Sequence, residues 1–366
     1  MLKVIISGGG TGGHIFPAIA IANSLKELSR DIDILFVGAE GRMEMEKVPA
    51  AGYKIEGLKI SGLQRSLSLS NLTFPFKVFG SIMKANKILK RFQPDVVVGV
   101  GGYASGPILF VATLNGVPTL IQEQNSYAGI TNKILGKRVN KICVAYNNME
   151  RFFPKEKIML TGNPVRQDIQ NLQGKRERGL EYFGLSGDKK ILLVIGGSLG
   201  AKTINESIKT GLKKFVANDI QVVWQTGKSY FASAKAAAES YQDSGIKVYD
   251  FITKMDYAYA VADAVVSRAG ASSVSELCLV KKPAILVPSP NVAEDHQTMN
   301  AMALVNYNAA VLVKDNEAGE KLCDEAISLM KDEVRRIKLQ ENIARLAFQD
   351  SGIAIANEIL RLVKKK

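Results

Sequence analysis

The chain has 366 residues, which favours two domains because one domain averages about 150 residues. A hydrophobic fraction of 46% and a charged fraction of 23% are typical of a globular protein and exclude extensive disorder. The formal net charge of +13 predicts an anionic partner. Because the sequence has neither a zinc-ligand spacing nor an RNA-binding aromatic motif, we favour a phosphorylated substrate or an acidic lipid surface over nucleic acid.

The first predicted element is a strand, Leu2-Lys-Val-Ile-Ile-Ser, whose apolar stretch is too short for a secretory signal. It runs into the glycine loop Gly8-Gly-Gly-Thr11-Gly-Gly13-His14, and a helix follows with Pro17 expected in its first turn. Phosphate is the expected occupant, because glycines and a helix N-terminus bring N–H groups toward an anion. The loop also matches G-x-G-x-x-G, so a nicotinamide-dependent oxidoreductase stays open as an alternative. That class expects an acidic residue ending the second strand, where Glu40 is the nearest candidate.

His14 and His296 are the two histidines, and both lie in polar or glycine-rich loops. Because imidazole titrates near neutrality, a positioned histidine can take a proton from an attacking hydroxyl group. His14 is the better candidate for a general base. Its placement at a helix start is equally compatible with a phosphate-binding histidine.

A helical pattern from Leu72 to Phe92 places Val78, Ile82, Ala85, Leu89 and Phe92 on one face and Lys77, Lys84, Lys87 and Arg91 toward another. The basic face could associate reversibly with anionic lipid. A core-facing helix with a solvated basic side explains the pattern equally well, and a non-catalytic membrane-surface scaffold is a third interpretation of the chain.

Two features of the sequence, one uncharged stretch and the spacing of the cysteines, indicate the cellular compartment of the protein. Residues Val96 to Gln122 carry no charge, but glycines and prolines divide them into strand, loop, helix and strand, which argues against a membrane span. Cys143, Cys278 and Cys323 are too far apart for a disulfide framework or a metal site, which favours a reducing compartment.

An internal repeat indicates the architecture. The opening strand and glycine loop recur at Ile191-Leu-Leu-Val-Ile-Gly-Gly-Ser-Leu-Gly, and the strand–loop–helix–strand run from Asp95 to Ile121 recurs from Asp263 to Val287. We therefore predict an α/β protein with a first Rossmann-like domain over 1–163, a second over 164–340 and a closing helix over 341–366. Open parallel sheets bind ligands at the carboxyl ends of their strands, so the two sheets are expected to face one cleft.

Polar residues follow two further predicted strands. Glu123-Gln-Asn125 offers a carboxylate and two amides to sugar hydroxyls, or else caps the next helix. Glu294-Asp-His296-Gln297 occupies the corresponding place in the second half and suits sugar recognition in the same way.

Two loops of the second half are candidates for nucleotide binding. Gly196-Gly-Ser198-Leu-Gly200 repeats the first glycine loop, although a tight strand-to-helix turn also needs small residues. The loop Arg268-Ala-Gly270-Ala-Ser272-Ser273-Val-Ser-Glu276 supplies hydroxyl groups and a carboxylate. Glu276 would suit a ribose diol, and the alternative is a capping box in which Ser273 caps the helix three residues before Glu276.

Taken together, these motifs resemble the N-acetylglucosaminyltransferase family of peptidoglycan synthesis, which makes lipid II from lipid I. The resemblance covers nearly the whole chain. The residues that carry it are Gly9-Gly-Thr-Gly-Gly-His14-Ile-Phe-Pro17, Val100-Gly-Gly-Tyr-Ala-Ser-Gly-Pro107, Glu123-Gln-Asn125, Thr161-Gly-Asn-Pro-Val-Arg166, Gly196-Gly-Ser198 and the loop from Arg268 to Glu276.

The resemblance implies a GT-B fold whose closing helix crosses back to the first domain, with UDP-N-acetylglucosamine as donor and lipid I as acceptor. It implies an inverting transfer to the muramyl 4-hydroxyl at the cytoplasmic face of the plasma membrane, by a peripheral enzyme that needs no metal or other cofactor. His14 is similar to the proposed base, the first glycine loop would face the acceptor pyrophosphate, and Glu123 is a weaker catalytic candidate.

The same resemblance implies a set of substrate contacts, with Ile252 holding uracil through its backbone. Leu199 and Lys202 depart from the glutamine and arginine usual in the family, so the side chains near the diphosphate differ while the backbone donors are unaffected. The implied contact residues are Thr11, Gly12, Gly13, Asn125, Arg166, Ser198, Ile252, Arg268, Ala271, Ser272, Ser273, Val274, Ser275, Glu276 and Gln297.

Overall fold

The structure is a computed structural model that describes residues 1–60 and 74–364. The chain divides into two compact units. Unit 1 comprises Met1–Val165 together with Asp350–Lys366, and unit 2 comprises Arg166–Gln349.

Unit 1 is built on a parallel sheet, which in the described part of the chain has seven strands in the order β3-β2-β1-β4-β5-β6-β7. Val/Ile/Leu runs form its central strands because both faces of the sheet are covered by helices. In chain order its elements are β1 (Leu2–Ser7), α1 (Gly12–Leu28), β2 (Ile32–Ala39), α2 (Glu44–Ala50), β3 (Lys54–Leu58), α3 (Phe74–Phe92), β4 (Val96–Gly99), α4 (Ser105–Leu114), β5 (Thr119–Glu123), α5 (Ile130–Gly136), β6 (Lys141–Val144), 3₁₀ turns at Met149–Arg151 and Lys155–Lys157, β7 (Ile158–Leu160) and α14 (Ser351–Lys364).

Unit 2 repeats the plan with six parallel strands in the order β10-β9-β8-β11-β12-β13. Its main core contains Trp224 and Phe215, both fully buried between the sheet and the helices that cover it. In chain order its elements are a 3₁₀ turn at Gln167–Ile169, α6 (Arg176–Phe183), β8 (Lys190–Ile195), α7 (Lys202–Ala217), β9 (Ile220–Gln225), α8 (Lys228–Ala238), a 3₁₀ turn at Glu239–Ser244, β10 (Ile246–Tyr249), α9 (Met255–Val261), β11 (Ala264–Ser267), α10 (Ala271–Val280), β12 (Ala284–Leu286), a 3₁₀ turn at Ala293–Asp295, α11 (His296–Val305), β13 (Val311–Leu312), a 3₁₀ turn at Asp315–Glu317, α12 (Ala318–Lys331) and α13 (Glu333–Ala344).

The predicted internal repeat is confirmed down to single hydrogen bonds. In unit 1 the Asp95 carboxylate accepts the backbone N–H of Lys3 at 2.8 Å, and in unit 2 the Asp263 carboxylate accepts that of Ile191 at 2.8 Å. In both units the strand that begins beside this aspartate pairs with the strand that runs into the glycine loop. The two glycine loops therefore occupy equivalent positions, each at the carboxyl edge of its own parallel sheet.

The uncharged stretch from Val96 to Gln122 forms β4, α4 and β5, as its glycines and prolines predict. Its strands are buried inside the unit 1 sheet, which explains why no charge interrupts them. Within residues 1–60 and 74–364, no helix is long and apolar enough to cross a membrane.

Two boundaries differ from the sequence-based expectations. The closing helix predicted over 341–366 begins at Ser351, after Asp350 takes a left-handed backbone conformation (φ 54°) that interrupts the helical run. It packs in unit 1, where Ile355, Ala356 and Ile359 join the core formed by α1 and β1. Pro17 lies inside α1 rather than in its first turn, because the helix already begins at Gly12.

The helix predicted from Leu72 to Phe92 is α3, and its first residues, 72 and 73, lie outside the described residues. Of the predicted apolar face, Ala85 and Leu89 are buried in the unit 1 core, and Ile82 and Phe92 are partly buried against it. Ile88, which was not predicted to lie on this face, is also buried there. A second apolar set on the same helix, which the pattern did not indicate, is exposed to solvent: Phe76, Phe79 and Met83.

Candidate active site

The first glycine loop follows β1 and ends at Thr11, the N-cap residue of α1. The first N–H groups of a helix have no partner within the helix, and an acidic side chain is missing from this first turn. Gly12 and Gly13 therefore present backbone donors, reinforced by the helix dipole, to an anion.

His14 is held by the same loop. Its Nδ1 lies 3.0 Å from the carbonyl oxygen of Gly9 and 3.2 Å from the hydroxyl of Thr11. A carbonyl oxygen only accepts hydrogen bonds, so the bond to Gly9 assigns the imidazole proton to Nδ1. In the neutral ring, Nε2 is then the nitrogen that can accept a proton, as a general base requires.

The loop after β4 packs directly against this arrangement. Gly101 and Gly102 both have positive φ angles, of 95° and 86°. A Cβ atom on Gly101 would lie 2.9 Å from Nε2 of His14, and one on Gly102 would lie 2.4 Å from the Gly9 carbonyl oxygen. Glycine is required at both positions because the backbone itself forms the wall beside His14.

Glu44, the first residue of α2, is hydrogen-bonded to the first glycine loop. Its side chain is fully buried, and its carboxylate accepts the N–H of Gly10 at 3.0 Å and the N–H of Ala39 at 2.9 Å. A Cβ atom on Gly9 would overlap this carboxylate, which shows how closely the two segments approach. Glu44 thus fixes the loop that carries Thr11 and His14.

Glu123, the weaker catalytic candidate, accepts hydrogen bonds from within unit 1 through both carboxylate oxygens. Its side chain is buried, and its carboxylate accepts the backbone N–H groups of Asn125 and Gly129, both at 3.0 Å, and the side-chain amide of Asn132 at 2.9 Å. These donors satisfy both carboxylate oxygens. Glu123 thereby shapes the loop that presents Asn125, whose side chain is partly exposed.

The second glycine loop connects β8 to α7 in unit 2, and Ser198 lies exposed at its tip beside Leu199. Gly200 has a φ of 79°, and a Cβ atom there would lie 2.0 Å from the carbonyl oxygen of Thr226. The requirement for glycine is therefore partly a packing requirement, as the tight-turn interpretation holds. The loop nevertheless ends at the N-terminus of α7, where backbone donors suit a phosphate.

Arg166, Glu276 and Tyr259 form a polar cluster in unit 2, in which Glu276 and Tyr259 are buried and the Arg166 side chain is 44% exposed. The Glu276 carboxylate accepts the Arg166 Nε–H at 3.1 Å and the Tyr259 hydroxyl at 2.9 Å. Burial raises the pKa of Glu276 above its ordinary value of 4.5, and the neighbouring Arg166 and Tyr259 oppose that shift.

The helix that carries Glu276 excludes the capping-box interpretation. α10 begins at Ala271 with Gly270 as its N-cap residue, so Ser273 lies inside the first turn and caps nothing. Ala271 and Val274 are buried, while Ser272, Ser273 and Ser275 are partly exposed at the helix start. Their backbone donors and hydroxyl groups lie within one turn of Glu276.

Arg268 is predicted to contact the substrate, but its guanidinium is committed to the protein. Its Nη1 donates to the carbonyl oxygens of Val287 at 3.0 Å and Pro288 at 3.2 Å, and it pairs with Asp315. Asp315 in turn accepts the Thr203 hydroxyl at 3.0 Å. Only 13% of the Arg268 side chain and 18% of the Asp315 side chain are exposed. Through these hydrogen bonds the pair connects α7 to the ends of β11 and β12.

Two predicted contact residues, Ile252 and Gln297, form hydrogen bonds within unit 2. The Ile252 N–H donates to the side-chain oxygen of Gln225 at 2.9 Å, and the Gln297 side-chain oxygen accepts the Ser289 N–H at 2.9 Å. His296 begins α11, directly before Gln297.

The structure thus groups the predicted residues in two sets. Thr11 to His14 lie together in unit 1, and Arg166 contacts Glu276 in unit 2. Four residues that hold these groups in place were not predicted from the sequence: Glu44, Gln225, Tyr259 and Asp315. The one sequence signal that could have found any of these four residues is a polar residue at the end of an apolar strand, and it applies to Gln225.

Comparisons with known proteins extend over the whole chain. The model of the glycosyltransferase family 28 N-terminal domain matches residues 4–144, and that of the family 28 C-terminal domain matches residues 191–353. A Parabacteroides distasonis protein named UDP-N-acetylglucosamine--N-acetylmuramyl-(pentapeptide) pyrophosphoryl-undecaprenol N-acetylglucosamine transferase is 56% identical over 364 residues, which cover 100% of this chain and 99% of that protein. The chain belongs to glycosyltransferase family 28. A Flavobacterium psychrophilum relative of the same name is 51% identical, with 100% of this chain and 98% of that protein covered.

Solved structures agree with membership of family 28. The crystal structure of Acinetobacter baumannii MurG matches with a TM-score of 0.80 and 26% identity over 99% of this chain and 100% of that one. A co-structure of Staphylococcus aureus MnaA with UDP has a TM-score of 0.67 at 15% identity, covering 100% of this chain and 99% of that one, and shows the fold alone. The predicted GT-B class, with two Rossmann-like halves on parallel sheets, is confirmed.

Proposed function

We propose that this family 28 chain transfers N-acetylglucosamine from UDP-N-acetylglucosamine to the 4-hydroxyl of the N-acetylmuramyl group of lipid I, giving lipid II. The support from comparison is the shared name of relatives that are 51–56% identical over nearly their full length. The observation that carries the proposal in the structure is His14, whose Nδ1 is held by Gly9 beside a glycine loop suited to pyrophosphate.

In the proposed reaction Nε2 of His14 takes the proton from the acceptor hydroxyl as its oxygen attacks C1 of the donor sugar. The bond from C1 to the UDP oxygen breaks, and attack from the opposite face inverts the anomeric centre to give a β-1,4 linkage. Proton removal of this kind contributes about 10² to 10⁴ in rate. Gly12 and Gly13 would hold the acceptor pyrophosphate through their N–H groups.

The donor is assigned to unit 2. The Glu276 carboxylate accepts hydrogen bonds from the ribose diol, Arg166 orients that carboxylate, and Ile252 holds uracil through its backbone. Negative charge on the departing UDP is stabilised by backbone donors at the Ser198 loop and at the start of α10. Asn125 and Gln297 are proposed contacts to the sugar hydroxyls.

No metal or other cofactor enters this proposal. The sequence Asp31-Ile-Asp33 matches D-x-D, a pattern that ligates metals in other glycosyltransferases, but it lies at the amino end of β2. There Asp31 pairs with the N-terminal amine at 2.9 Å. Because ligands of parallel sheets bind at the opposite, carboxyl edge, this pair of carboxylates is not assigned to the donor.

Association with an anionic membrane surface is proposed for α3. Phe76 and Phe79 are exposed by 79% and 66%, and Lys77 and Lys87 lie exposed along the same helix. Lys84 is less available because it pairs with Glu40 at 2.7 Å. Exposed aromatic rings and cationic side chains on one helix suit the headgroup region of an anionic membrane. The family resemblance implies the cytoplasmic face of the plasma membrane, which is the peripheral location included in this proposal.

The transfer is tested by incubating the protein with UDP-N-acetylglucosamine and a lipid I analogue and measuring UDP release and the disaccharide product. Release that depends on both substrates supports the proposal. A protein that binds UDP but yields no disaccharide in any detergent or vesicle would overturn it.

Membrane association is tested separately by flotation with vesicles that contain anionic lipid. The double variant Phe76→Ser/Phe79→Ser is expected to lose binding, whereas Val334→Ser/Ile337→Ser, which removes two exposed apolar residues of unit 2, is expected to keep it. Equal binding by both variants would remove α3 from the proposal.

The nicotinamide oxidoreductase alternative is not supported. The curated relatives carry transferase names, and Glu40, the candidate to hold a ribose, forms its ion pair with Lys84 at 2.7 Å instead.

A further inference from the structure

Three buried side-chain amides form a closed ring of hydrogen bonds at the carboxyl edge of the unit 1 sheet. Gln122 and Gln124 lie on either side of Glu123, where β5 ends, and Asn163 follows β7. The Gln124 Nε2–H donates to the side-chain oxygen of Gln122, the Gln122 Nε2–H donates to that of Asn163 at 2.9 Å, and the Asn163 Nδ2–H donates to the backbone carbonyl oxygen of Gln124 at 3.0 Å. Each of these amide residues is at most 3% exposed.

The ring fixes which atom each amide presents to its neighbours. In Gln122 and Asn163 the side-chain oxygen accepts and the nitrogen donates, so turning either amide over would bring like atoms together. The Gln124 nitrogen also donates to the carbonyl oxygen of Val100 at 2.7 Å. Because hydrogen bonds around a buried ring reinforce one another, the ring keeps an N–H group rather than an oxygen directed at Val100.

Val100 is the residue through which this ring reaches His14. Its N–H donates to the carbonyl oxygen of Ser7 at 2.7 Å, so Val100 is held between β1 and Gln124. The next residue is Gly101, and a Cβ atom on it would lie 2.7 Å from Cδ2 of His14 and 3.6 Å from the side-chain oxygen of Gln124. The backbone wall beside the imidazole is therefore backed by the Gln124 amide.

We propose that Gln124 is a positioning residue for His14, and that Gln122 and Asn163 act on the imidazole through it. Gln124 holds the Val100 carbonyl group, and Val100 carries the wall that limits rotation of the ring. The inference rests on the proposed use of His14 as the base in the transfer reaction.

Loss of the Gln124 amide is expected to change the state of the imidazole. Without the bond to Val100 the wall can relax, and the ring can turn away from the Gly9 carbonyl oxygen that holds its Nδ1 proton. His14 would then lose its single tautomer, and Nε2 would no longer be directed as the proposed transfer requires.

Gln221 provides a matched control in unit 2. It is also buried, at 3% exposure, and makes two hydrogen bonds to backbone, both with Ser186, through its Nε2 at 2.7 Å and its Oε1 at 2.8 Å. Gln221→Met and Gln124→Met both remove a buried amide, but Gln221 belongs to the unit that does not contain His14.

The first measurement is the ¹⁵N spectrum of the imidazoles, in which protonated and unprotonated ring nitrogens have different shifts. The chain has two histidines, so a parallel His296→Gln sample identifies the signals of His14. At a pH where the ring is neutral, the parent is expected to show a protonated Nδ1 and an unprotonated Nε2. In Gln124→Met both shifts are expected to move toward the averaged values of a free imidazole, whereas Gln221→Met should keep the parent shifts.

The second measurement is steady-state transfer, with UDP affinity and thermal unfolding in parallel. Gln124→Met is expected to lower kcat at least about tenfold while UDP affinity stays within about twofold of the parent, because a small displacement of a base is costly. The double variant Gln122→Met/Gln124→Met should be no slower than Gln124→Met alone, since residues that act through one another are not additive. Gln221→Met is expected to lower the unfolding temperature and keep kcat.

Unchanged His14 shifts or an unchanged kcat in folded Gln124→Met would overturn the inference, and so would equal losses of kcat in Gln124→Met and Gln221→Met. If Gln124→Met does not fold, Asn163→Ala opens the ring while leaving the Gln124 side chain in place, and the His14 shifts are expected to move in the same way; parent shifts in that variant would also overturn it. A parent protein without transferase activity would instead contradict the proposed function, whereas the ¹⁵N shifts need no substrate and still test Gln124.

Discussion

The Nδ1 atom of His14 lies 3.0 Å from the carbonyl oxygen of Gly9, so the loop that is suited to the acceptor pyrophosphate also sets the tautomer of the proposed base. The two functions depend on one backbone segment. Anything that moves this segment is therefore expected to change proton transfer and acceptor binding together.

Replacement of His14 by alanine is expected to lower kcat by about 10²-fold or more, because the proton acceptor is lost. UDP affinity is expected to stay unchanged, since the donor is assigned to unit 2. Steady-state kinetics and calorimetry measure the two effects. Full activity in His14→Ala would remove this residue from the mechanism.

Gly101→Ala is expected to lower kcat by about 10-fold to 100-fold, because its Cβ atom would come within 2.7 Å of the His14 ring and displace it. The control is Gly116→Ala, which has a similar positive φ of 68° but meets nothing within 4 Å. Both substitutions strain the backbone, so equal effects on kcat would show that strain rather than displacement of His14 is responsible.

Glu44→Gln is expected to destabilise unit 1 by about 1 to 3 kcal/mol, because an amide cannot accept both the Gly10 and the Ala39 N–H groups. It is also expected to raise KM for the lipid acceptor. Chemical unfolding and acceptor titration provide the readouts. Glu46→Gln on the exposed side of the same helix should change neither quantity.

Donor binding is expected to weaken as the pH falls. The ionised Glu276 accepts the ribose hydroxyls, and burial raises its pKa above 4.5, so protonation begins at a higher pH than for an exposed glutamate. UDP affinity measured between pH 8 and pH 5 should therefore fall toward the acid end. In Glu276→Gln the affinity should be low and insensitive to pH; a slope equal to that of the parent would exclude Glu276 as its cause.

Asp315→Ala is expected to destabilise unit 2 by about 3 to 5 kcal/mol, because it leaves the Arg268 guanidinium charged and largely buried without its partner. Asp324→Ala breaks the exposed Lys214–Asp324 pair and should leave stability almost unchanged, because water screens that pair. Thermal unfolding distinguishes the two. Similar melting temperatures for both variants would argue against a structural role for Arg268.

The α/β class and the two glycine loops were predictable because their signals are local. A run of Val, Ile and Leu followed by glycines and an amphipathic segment specifies strand, turn and helix within about 25 residues. The repeat of Asp95 at Asp263 then placed equivalent strands in both halves, and the structure confirms it.

The features that the sequence did not predict are long-range contacts. Glu44 reaches a loop 34 residues away, and Arg268 finds Asp315 47 residues further along the chain. For Glu123 the sequence left two roles open, contact with sugar hydroxyl groups or capping of the next helix; in the structure its carboxylate accepts the N–H of Gly129, the N-cap residue of α5. A carboxylate that binds substrate and one that binds its own backbone look the same in a sequence.

The packing of α14 in unit 1 has a consequence for biosynthesis. The ribosome delivers β1 and α1 long before Ile355 and Ile359, although all four contribute to the same core. While the intervening residues are synthesised, the nascent amino-terminal half is thus expected to display an uncovered apolar strip, and its folding is completed only when α14 emerges.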